Sequence, residues 1–285
     1  MKPVKQILKA IIPLVVLNKI RKYRKPINQL PDGWSGNYTT WREAKKFCTG
    51  YNSSLILKKC KDALLKVKNG DAVYERDSVI FDEIQYSQCL LEGLQKAALE
   101  NDNKLCILDF GGSLGSSYFQ NKRLLSSIKK LTWCIVEQTH FVNCGKRYFE
   151  DEQLKFYHTI EECIAKHKPN VLLLSGVLQY LEKPGVWVEK FIKLKVPTII
   201  IDRTTIINCE RNIITVQKVP YSIYEASYPC WFFNEDYLKK LFINYSLITK
   251  FESYCDMPIT LNSEYDATWA GFEFKLSNLE VKKNL

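Results

Sequence analysis

Residues 104–119 read KLCILDFGGSLGSSYF, and the fold class can be inferred outward from these residues. It opens with an apolar run that predicts a buried strand ending at Asp109. A glycine turn follows, and then a helix is expected near 118–130. Glycines let the backbone turn tightly and approach a ligand closely. The stretch therefore predicts a strand–turn–helix unit whose turn binds a ligand.

The same alternation of strand and helix continues along the chain. Further strands are predicted at TWCIVE (132–137), LKFYH (154–158), NVLLLSG (170–176) and PTIIIDR (197–203), with helical patterns at 141–150, 160–166 and 184–194. Short apolar runs alternating with helices are typical of parallel βαβ units, so we expect a mostly parallel, Rossmann-like α/β sheet.

The C-terminal third departs from this alternation. IITVQK (213–218) predicts an extra strand, and PYSIYEASYPCWFF (220–233) is expected to be irregular. A helix near 234–242 precedes two strands at 245–253 and 268–276. Since no helix separates these two strands, one of them is expected to run antiparallel to the rest.

The N-terminal part is expected to be mainly helical. PDGWSGNY (31–38) is rich in turn residues, and Thr40 with Glu43 predicts the start of a short helix. Residues 54–69 and 77–100 carry apolar residues at helical spacing. We divide the chain into a basic arm (1–25), a helical N-terminal cap (26–103) and a Rossmann-like domain (104–285) with an aromatic insertion at 219–233.

The positive charge is concentrated at one end. The net charge is +10, and residues 1–25 contain eight lysines and arginines and no acidic residue. The rest of the chain is therefore nearly neutral, which argues against a nucleic-acid-binding domain. IIPLVVL (11–17) is too short to span a bilayer and lacks a signal cleavage site. We expect a cytoplasmic protein.

Cysteine spacing gives no metal motif. None of the ten cysteines forms a C-x-x-C pair, and several lie within apolar runs. We therefore expect reduced core thiols, with no bound metal.

Asp109 is an acidic residue at a position where a dinucleotide-binding site would have none. Asp109 lies two residues before Gly111, and the spacing of Gly111, Gly112 and Gly115 does not fit G-x-G-x-x-G. A carboxylate there repels a pyrophosphate but attracts an amino group. A nicotinamide-dependent oxidoreductase is therefore the less favoured alternative.

These residues resemble a known family. D-x-G-x-G-x-G is the first motif of class I S-adenosylmethionine-dependent methyltransferases, and Ser113 replaces its second glycine. DFGGSLGSSYFQN, VEQTHFVNCGKRYFE, LLLSGVLQYLEKP and PYSIYEASYPCWFF are similar to a subfamily encoded among bacterial surface-polysaccharide (O-antigen and capsule) genes. The resemblance covers roughly residues 30–275. It implies S-adenosylmethionine as cofactor and a methyl acceptor that is a saccharide or a lipid-linked glycan.

The resemblance also implies a cofactor site. Glu137, at the end of the second strand, would accept hydrogen bonds from the ribose hydroxyls. The other expected cofactor-binding residues are Arg76, Asp109, Gly111, Gly112, Ser113, Gly115, Gln138, His158, Thr159 and Ser175. Arg76 is assigned to the methionine carboxylate, although a charge cluster at a helix start explains it as well.

Transfer to a hydroxyl requires a base, and the candidates are few. His140 and Asp202 are the expected catalytic residues. The expected acceptor-binding residues are Tyr180, Arg203, Tyr224, Tyr228 and Trp231. Structural explanations stay open for these residues: a surface histidine, an ion pair and a packed aromatic insertion.

Two further alternatives remain at this stage. The chain could bind the cofactor without catalysis, as a partner subunit. The arm 1–25 could lie on the inner face of an anionic membrane or dock on protein. The sequence leaves the oligomeric state open.

Overall fold

The computed structural model describes residues 31–50, 54–253, 259–261 and 264–277. Its helices are α1 (Trp41–Lys45), α2 (Ser54–Asn69), α3 (Gln88–Leu99), α4 (Ser116–Asn121), α5 (Thr139–Tyr148), α6 (Ile160–Ile164), α7 (Pro184–Lys193) and α8 (Glu235–Leu241). Its strands are β1 (Gly33–Tyr38), β2 (Tyr74–Arg76), β3 (Val79–Phe81), β4 (Lys104–Phe110), β5 (Lys130–Val136), β6 (Leu154–Tyr157), β7 (Val171–Ser175), β8 (Thr198–Ile207), β9 (Ile213–Lys218), β10 (Ser227–Asn234), β11 (Tyr245–Glu252), β12 (Ile259–Leu261) and β13 (Tyr265–Leu276).

Five parallel strands form the centre of the sheet in the order β6-β5-β4-β7-β8. The chain builds outward from β4 to β6, then returns to place β7 on the other side of β4. The carboxyl ends of β4 and β7 therefore meet at a topological switch point, where open α/β sheets bind ligands. Every residue of β7 is buried, as its continuous apolar run predicts.

The C-terminal strands complete the sheet in the opposite direction. β13 pairs antiparallel with β8, and β11 pairs antiparallel with β13. This confirms the expected fold class: a mostly parallel Rossmann-like sheet with an antiparallel strand near the C-terminus. Apolar side chains pack on both sheet faces in two large clusters, one of which includes Ile107 and the other Leu108.

A second, mostly antiparallel unit extends the sheet beyond the end of β7. Its strand β9 is the extra strand predicted at 213–218, whereas β1 and β10 were not predicted. The last residues of β8 pair with β10, which pairs with β9, which pairs with β1. The turn-rich segment 31–38 is therefore mostly a strand rather than a loop. The aromatic segment 220–233, expected to be irregular, is regular from Ser227 onward.

The N-terminal part contains helices α1–α3, with strand β1 before α1 and the hairpin β2–β3 between α2 and α3. Thr40 caps α1 as predicted, with its hydroxyl oxygen accepting from the Glu43 N–H at 3.2 Å. The predicted helix over 77–100 begins only at Gln88, because residues 74–81 form the hairpin β2–β3. Likewise α4 ends at Asn121 rather than near residue 130.

The basic arm 1–25 lies outside the described residues. Among the residues that are described, no helix combines the length and apolar character needed to cross a bilayer.

Candidate functional site

A polar cleft opens at the switch point. It is walled by the loops after β4 and β7, the hairpin β2–β3 and helix α2. Eight of the residues expected from the sequence line it: Arg76, Asp109, Gly111, Gly112, Ser113, Ser175, Arg203 and Tyr224.

Asp109 is the buried acid of this cleft, with only 1% of its surface exposed. Its Oδ2 accepts a hydrogen bond from Trp133 Nε1 at 2.9 Å, whereas its Oδ1 is buried and has no hydrogen-bond partner. Burial raises the pKa of Asp109 to about 7, although the Trp133 hydrogen bond and the nearby Arg203 charge oppose the shift. An unpartnered buried oxygen is costly, so this carboxylate is suited to a cationic donor.

The loop after β4 wraps closely around that carboxylate. A Cβ on Gly112 would lie 2.5 Å from the Asp109 carboxyl group, and one on Gly111 would lie 2.5 Å from Val177 Cγ2. Gly111, Ser113 and Gly115 all have positive φ, at 76°, 54° and 105°. Ser113 therefore holds a left-handed conformation in place of a glycine, at a cost of about 1–2 kcal/mol.

The carboxyl end of β7 and the middle of β8 provide the opposite wall, because β8 continues to Ile207 rather than ending at Arg203 as predicted. Arg203 Nε donates to Ser175 Oγ at 3.3 Å, and its Nη1 forms an ion pair with Asp77 Oδ2 at 3.2 Å. Arg203 also has a positive φ of 52°. Strain at a partly buried charged residue is typical of a functional position. The ion pair joins the sheet to the N-terminal hairpin across the cleft.

The hairpin β2–β3 presents a second buried acid, Glu75, at 2% exposure. Its carboxylate accepts hydrogen bonds from Ser116 Oγ and, at 3.1 Å, from the Ser78 N–H. Burial raises the pKa of Glu75 to about 7, and these hydrogen bonds partly offset the shift. Its neighbour Arg76 donates to Gln85 Oε1 at 2.8 Å.

Glu137 lies close to this cleft but does not line it. Its carboxylate accepts from the backbone N–H groups of Ser113 and Gln138. Burial raises the pKa of Glu137 to about 7, and the negative charge of Asp109 contributes to the shift. Gln138 is exposed at the start of α5. The ribose and adenine contacts expected of these two residues stay predictions.

His158 and Thr159 also lie outside the cleft, where they cap α6. Thr159 Oγ1 accepts from the Glu162 N–H at 3.1 Å, and a Glu162 carboxylate oxygen accepts from the His158 N–H at 3.0 Å. This pairing is similar to a capping box and gives Thr159 a structural role, whereas His158 takes part through its backbone N–H alone. Gly115 starts α4, and a Cβ on it would lie 3.2 Å from Leu154.

Neither expected base lines the cleft. Asp202 is 1% exposed, and its Oδ1 accepts from Ser87 Oγ at 3.5 Å. His140 lies in the first turn of α5, where its ring packs against Phe141 with the centroids 4.9 Å apart. The structure thus places both away from the surface that an acceptor would reach in this cleft.

The expected acceptor-binding aromatics are mostly packing residues. Tyr180 donates to Gln217 Oε1 at 2.8 Å and packs edge-on against Tyr228. Trp231 stacks on Trp41 and donates to the Leu181 carbonyl at 3.1 Å. The second half of the insertion is therefore strand β10 of the extended sheet, and in its first half Tyr224 lines the cleft.

Several cleft residues were missed from the sequence. Glu75 and Asp77 read as a charge cluster at a helix start, and Cys60 and Tyr74 carried no motif. Ser116, Ser117 and Gln120 lie within the stretch DFGGSLGSSYFQN but were given no role of their own. The available signal for Glu75 was its position between apolar residues in AVYERDSVIF, which fits a hairpin as well as a helix.

Comparison with known proteins gives matches among solved structures alone. No protein-family profile matches the chain. No curated protein sequence matches it either.

The solved structures similar to this chain include methyltransferases. One is an S-adenosylmethionine-dependent methyltransferase from Clostridium acetobutylicum, with 9% identity, a TM-score of 0.44 and coverage of 77% of this chain and 98% of that one. A second is the N-terminal domain of EvdMO1 with SAH and D-fucose, with 10% identity, a TM-score of 0.41 and coverage of 78% and 99%. A third is the N-methyltransferase NodS from Bradyrhizobium japonicum with S-adenosyl-L-homocysteine, with 10% identity, a TM-score of 0.39 and coverage of 68% and 89%.

Proposed function

We propose that this chain is a methyltransferase that binds S-adenosylmethionine in the cleft around Asp109. One observation carries the proposal: the Asp109 carboxylate, at the switch point of the sheet, has one oxygen bonded to Trp133 and the other buried without a partner. An ammonium group with N–H donors satisfies such an oxygen, and the methionine end of this cofactor has one. A pyrophosphate would be repelled there, which disfavours the nicotinamide-dependent alternative.

Other residues of the cleft suit the same ligand end. The guanidinium groups of Arg76 and Arg203 line the cleft and can bind the methionine carboxylate. Gly112 lets the loop pass against Asp109 without a side chain in the way. Glu137, held by two backbone N–H groups beside this loop, is the residue we assign to the ribose hydroxyls.

The proposed reaction is methyl transfer, and the chain contributes a base that is held in the cleft. Bound S-adenosylmethionine supplies a methyl group activated on a sulfonium. If the acceptor is a hydroxyl, its O–H bond breaks as the new O–CH3 bond forms and the S–CH3 bond breaks, so the proton needs a base. We assign this role to Glu75, because it is a buried carboxylate that lines the cleft and is held by Ser116 and Ser78.

We propose a saccharide hydroxyl as the acceptor, in surface-polysaccharide biosynthesis. The sequence resemblance supports this assignment, and the polar lining of the cleft is compatible with a sugar. Mass spectrometry of the surface polysaccharide, with and without this protein, tests it. Loss of a methylated sugar supports the assignment, and an unchanged polysaccharide contradicts it.

We also propose that the basic arm 1–25 holds the protein at the inner face of the membrane. Its eight positive charges and apolar residues support attraction to anionic lipid. Sedimentation with anionic liposomes, for the full chain and for a chain lacking 1–25, tests this. Equal partitioning of the two chains contradicts it.

The function itself is tested by binding and then by transfer. Calorimetric titration should show micromolar-range binding of S-adenosylhomocysteine and no comparable binding of NAD⁺. Tighter binding of NAD⁺ contradicts the proposal. Cofactor binding without methyl transfer to any glycan favours the alternative of a catalytically silent partner subunit.

A further inference from the structure

Three soft metal-binding side chains converge at a place that the cofactor cleft does not include. The sulfur atoms of Cys106 and Cys134 and a ring nitrogen of His167 all lie within 4.8 Å of one another. They come from strand β4, strand β5 and the turn after α6. The parallel register pairs Leu108 with Cys134, which puts Cys106 and Cys134 on the same face of the sheet.

A fourth donor stands beside them. Cys163 Sγ lies near Cys134 Sγ, although it is not within 4.8 Å of all three other donor atoms. Cys163 lies in α6, four residues before His167, and the His167 N–H donates to the Cys163 carbonyl at 2.9 Å. This helical spacing brings Cys163 and His167 to the same side, facing the two strand cysteines. Cys3His is one of the ligand sets of structural zinc sites.

The distances between the donor atoms can be compared with those around a tetrahedral zinc ion. Zinc bonds of about 2.3 Å to sulfur and about 2.0–2.1 Å to nitrogen put the donor atoms roughly 3.4–3.8 Å apart. The donor atoms of Cys106, Cys134 and His167 therefore need to close by up to about an ångström. Cys163 Sγ has to approach at least one of these atoms from beyond 4.8 Å. Cys134 and Cys163 are fully buried, whereas Cys106 and His167 are half-buried and leave an entry path.

The histidine is already oriented by a second group. The Tyr157 hydroxyl lies 2.7 Å from His167 Nε2. If Nε2–H donates to this oxygen, Nδ1 keeps its lone pair for a metal. A ligating histidine usually makes such an outer hydrogen bond, which sets its tautomer.

The surrounding charge is also favourable. Zinc with three thiolates and a neutral imidazole carries one net negative charge. Lys130, Lys155 and Lys166 lie near His167, and Lys166 Nζ is 5.4 Å from the Tyr157 ring centroid. Positive groups nearby stabilise thiolates.

We propose that Cys106, Cys134, Cys163 and His167 bind a structural zinc ion that ties α6 to strands β4 and β5. The site has a closed ligand set and lies outside the cofactor cleft, so it serves stability rather than methyl transfer. This inference is independent of the proposed function.

The test measures metal directly on the full-length chain. The protein is purified under reducing conditions without chelator, supplied with zinc and analysed by elemental and native mass spectrometry. We expect about one zinc per chain. Replacement by cobalt(II) should give the intense visible bands of a tetrahedral site and thiolate-to-cobalt charge transfer. Absence of both stoichiometric zinc and these cobalt bands overturns the proposal without any variant.

Matched variants locate the site. Cys106→Ser and His167→Ala change half-buried residues and should each lower zinc affinity by at least about tenfold. Cys144→Ser is the control, because Cys144 is a half-buried cysteine of α5 outside the cluster, and it should keep zinc binding unchanged. Circular dichroism verifies that each variant is folded. Full zinc retention in both folded Cys106→Ser and His167→Ala overturns the assignment.

Discussion

Replacing Asp109 by asparagine keeps the shape of the side chain and removes its charge. In the folded chain, burial raises the pKa of Asp109 from 3.8 to about 7. The folded state therefore keeps a proton that the unfolded state releases, and stability falls as pH rises from about 4 to 7. Each pKa unit is worth about 1.4 kcal/mol, so this loss reaches about 4 kcal/mol above pH 7.

Asp109→Asn cannot titrate at this position, so its stability does not fall in this way as pH rises. We therefore expect the substitution to raise stability and to lower ligand affinity. Without ligand, Asp109→Asn should be more stable than the wild type at pH 8, by up to about 4 kcal/mol, and the difference should vanish near pH 4. Binding of S-adenosylhomocysteine should weaken by about 1.5–3 kcal/mol, or about 10- to 150-fold, because a hydrogen bond to a charged group is lost.

Denaturant unfolding across this pH range and calorimetric titration measure the two effects. Asp202→Asn is the matched control: Asp202 is equally buried and its pKa is also raised by burial, but it does not line the cleft. It should leave the affinity for S-adenosylhomocysteine unchanged. An Asp109→Asn variant that binds S-adenosylhomocysteine as tightly as the wild type refutes the reasoning.

Three further predictions concern the same cleft. Gly112→Ala should lower S-adenosylhomocysteine affinity by at least about tenfold, since its Cβ would meet the Asp109 carboxyl group at 2.5 Å; Gly185→Ala, with only ordinary contacts, is the calorimetric control. Ser113→Gly should stabilise the chain by about 1 kcal/mol in denaturant unfolding, because it relieves a left-handed φ, and an unchanged midpoint contradicts this. Glu75→Gln should lower turnover by roughly 10²–10⁴-fold while S-adenosylhomocysteine affinity holds; wild-type turnover would remove Glu75 as the base. In the wild type, burial raises the pKa of Glu75 to about 7, so turnover should rise with pH as this group loses its proton near neutrality.

The parallel core was predictable because its signals are local. Strands such as β7 are buried on both faces and read as continuous apolar runs bounded by turn residues. The acid near the end of β4 and the glycines after this strand were predictable for the same reason, because the motif spans the junction of one strand and one helix. The predictions for Asp109, Gly111 and Gly112 as cleft residues needed no long-range information.

The extended sheet was not predictable from local pattern. β1 is a partly exposed strand that contains Gly33 and Gly36, both with positive φ, and such residues read as turns. It is a strand because Gly33 pairs with Lys218, far along the chain. Long-range pairing of this kind overrides local propensity.

The positions of Glu75 and of the Cys106, Cys134 and His167 group could not be predicted from the sequence for a related reason. Glu75 reads as one charge among several until the hairpin turns it into the cleft. Cys106, Cys134 and His167 have no metal-motif spacing, because strand register and the packing of α6 bring them together. Spacing along the chain predicts a metal site only when the ligands lie in one loop or one helix.

The central claim is that the methionine end of S-adenosylmethionine lies against Asp109. A crystal structure of the wild-type chain with S-adenosylhomocysteine tests this most directly. We predict that the amino group of the ligand lies within hydrogen-bonding distance, about 2.7–3.2 Å, of Asp109 Oδ1, the oxygen that has no partner in the ligand-free chain. Ligand density elsewhere in the molecule, or an Asp109 carboxylate that makes no contact with the ligand, would contradict the account.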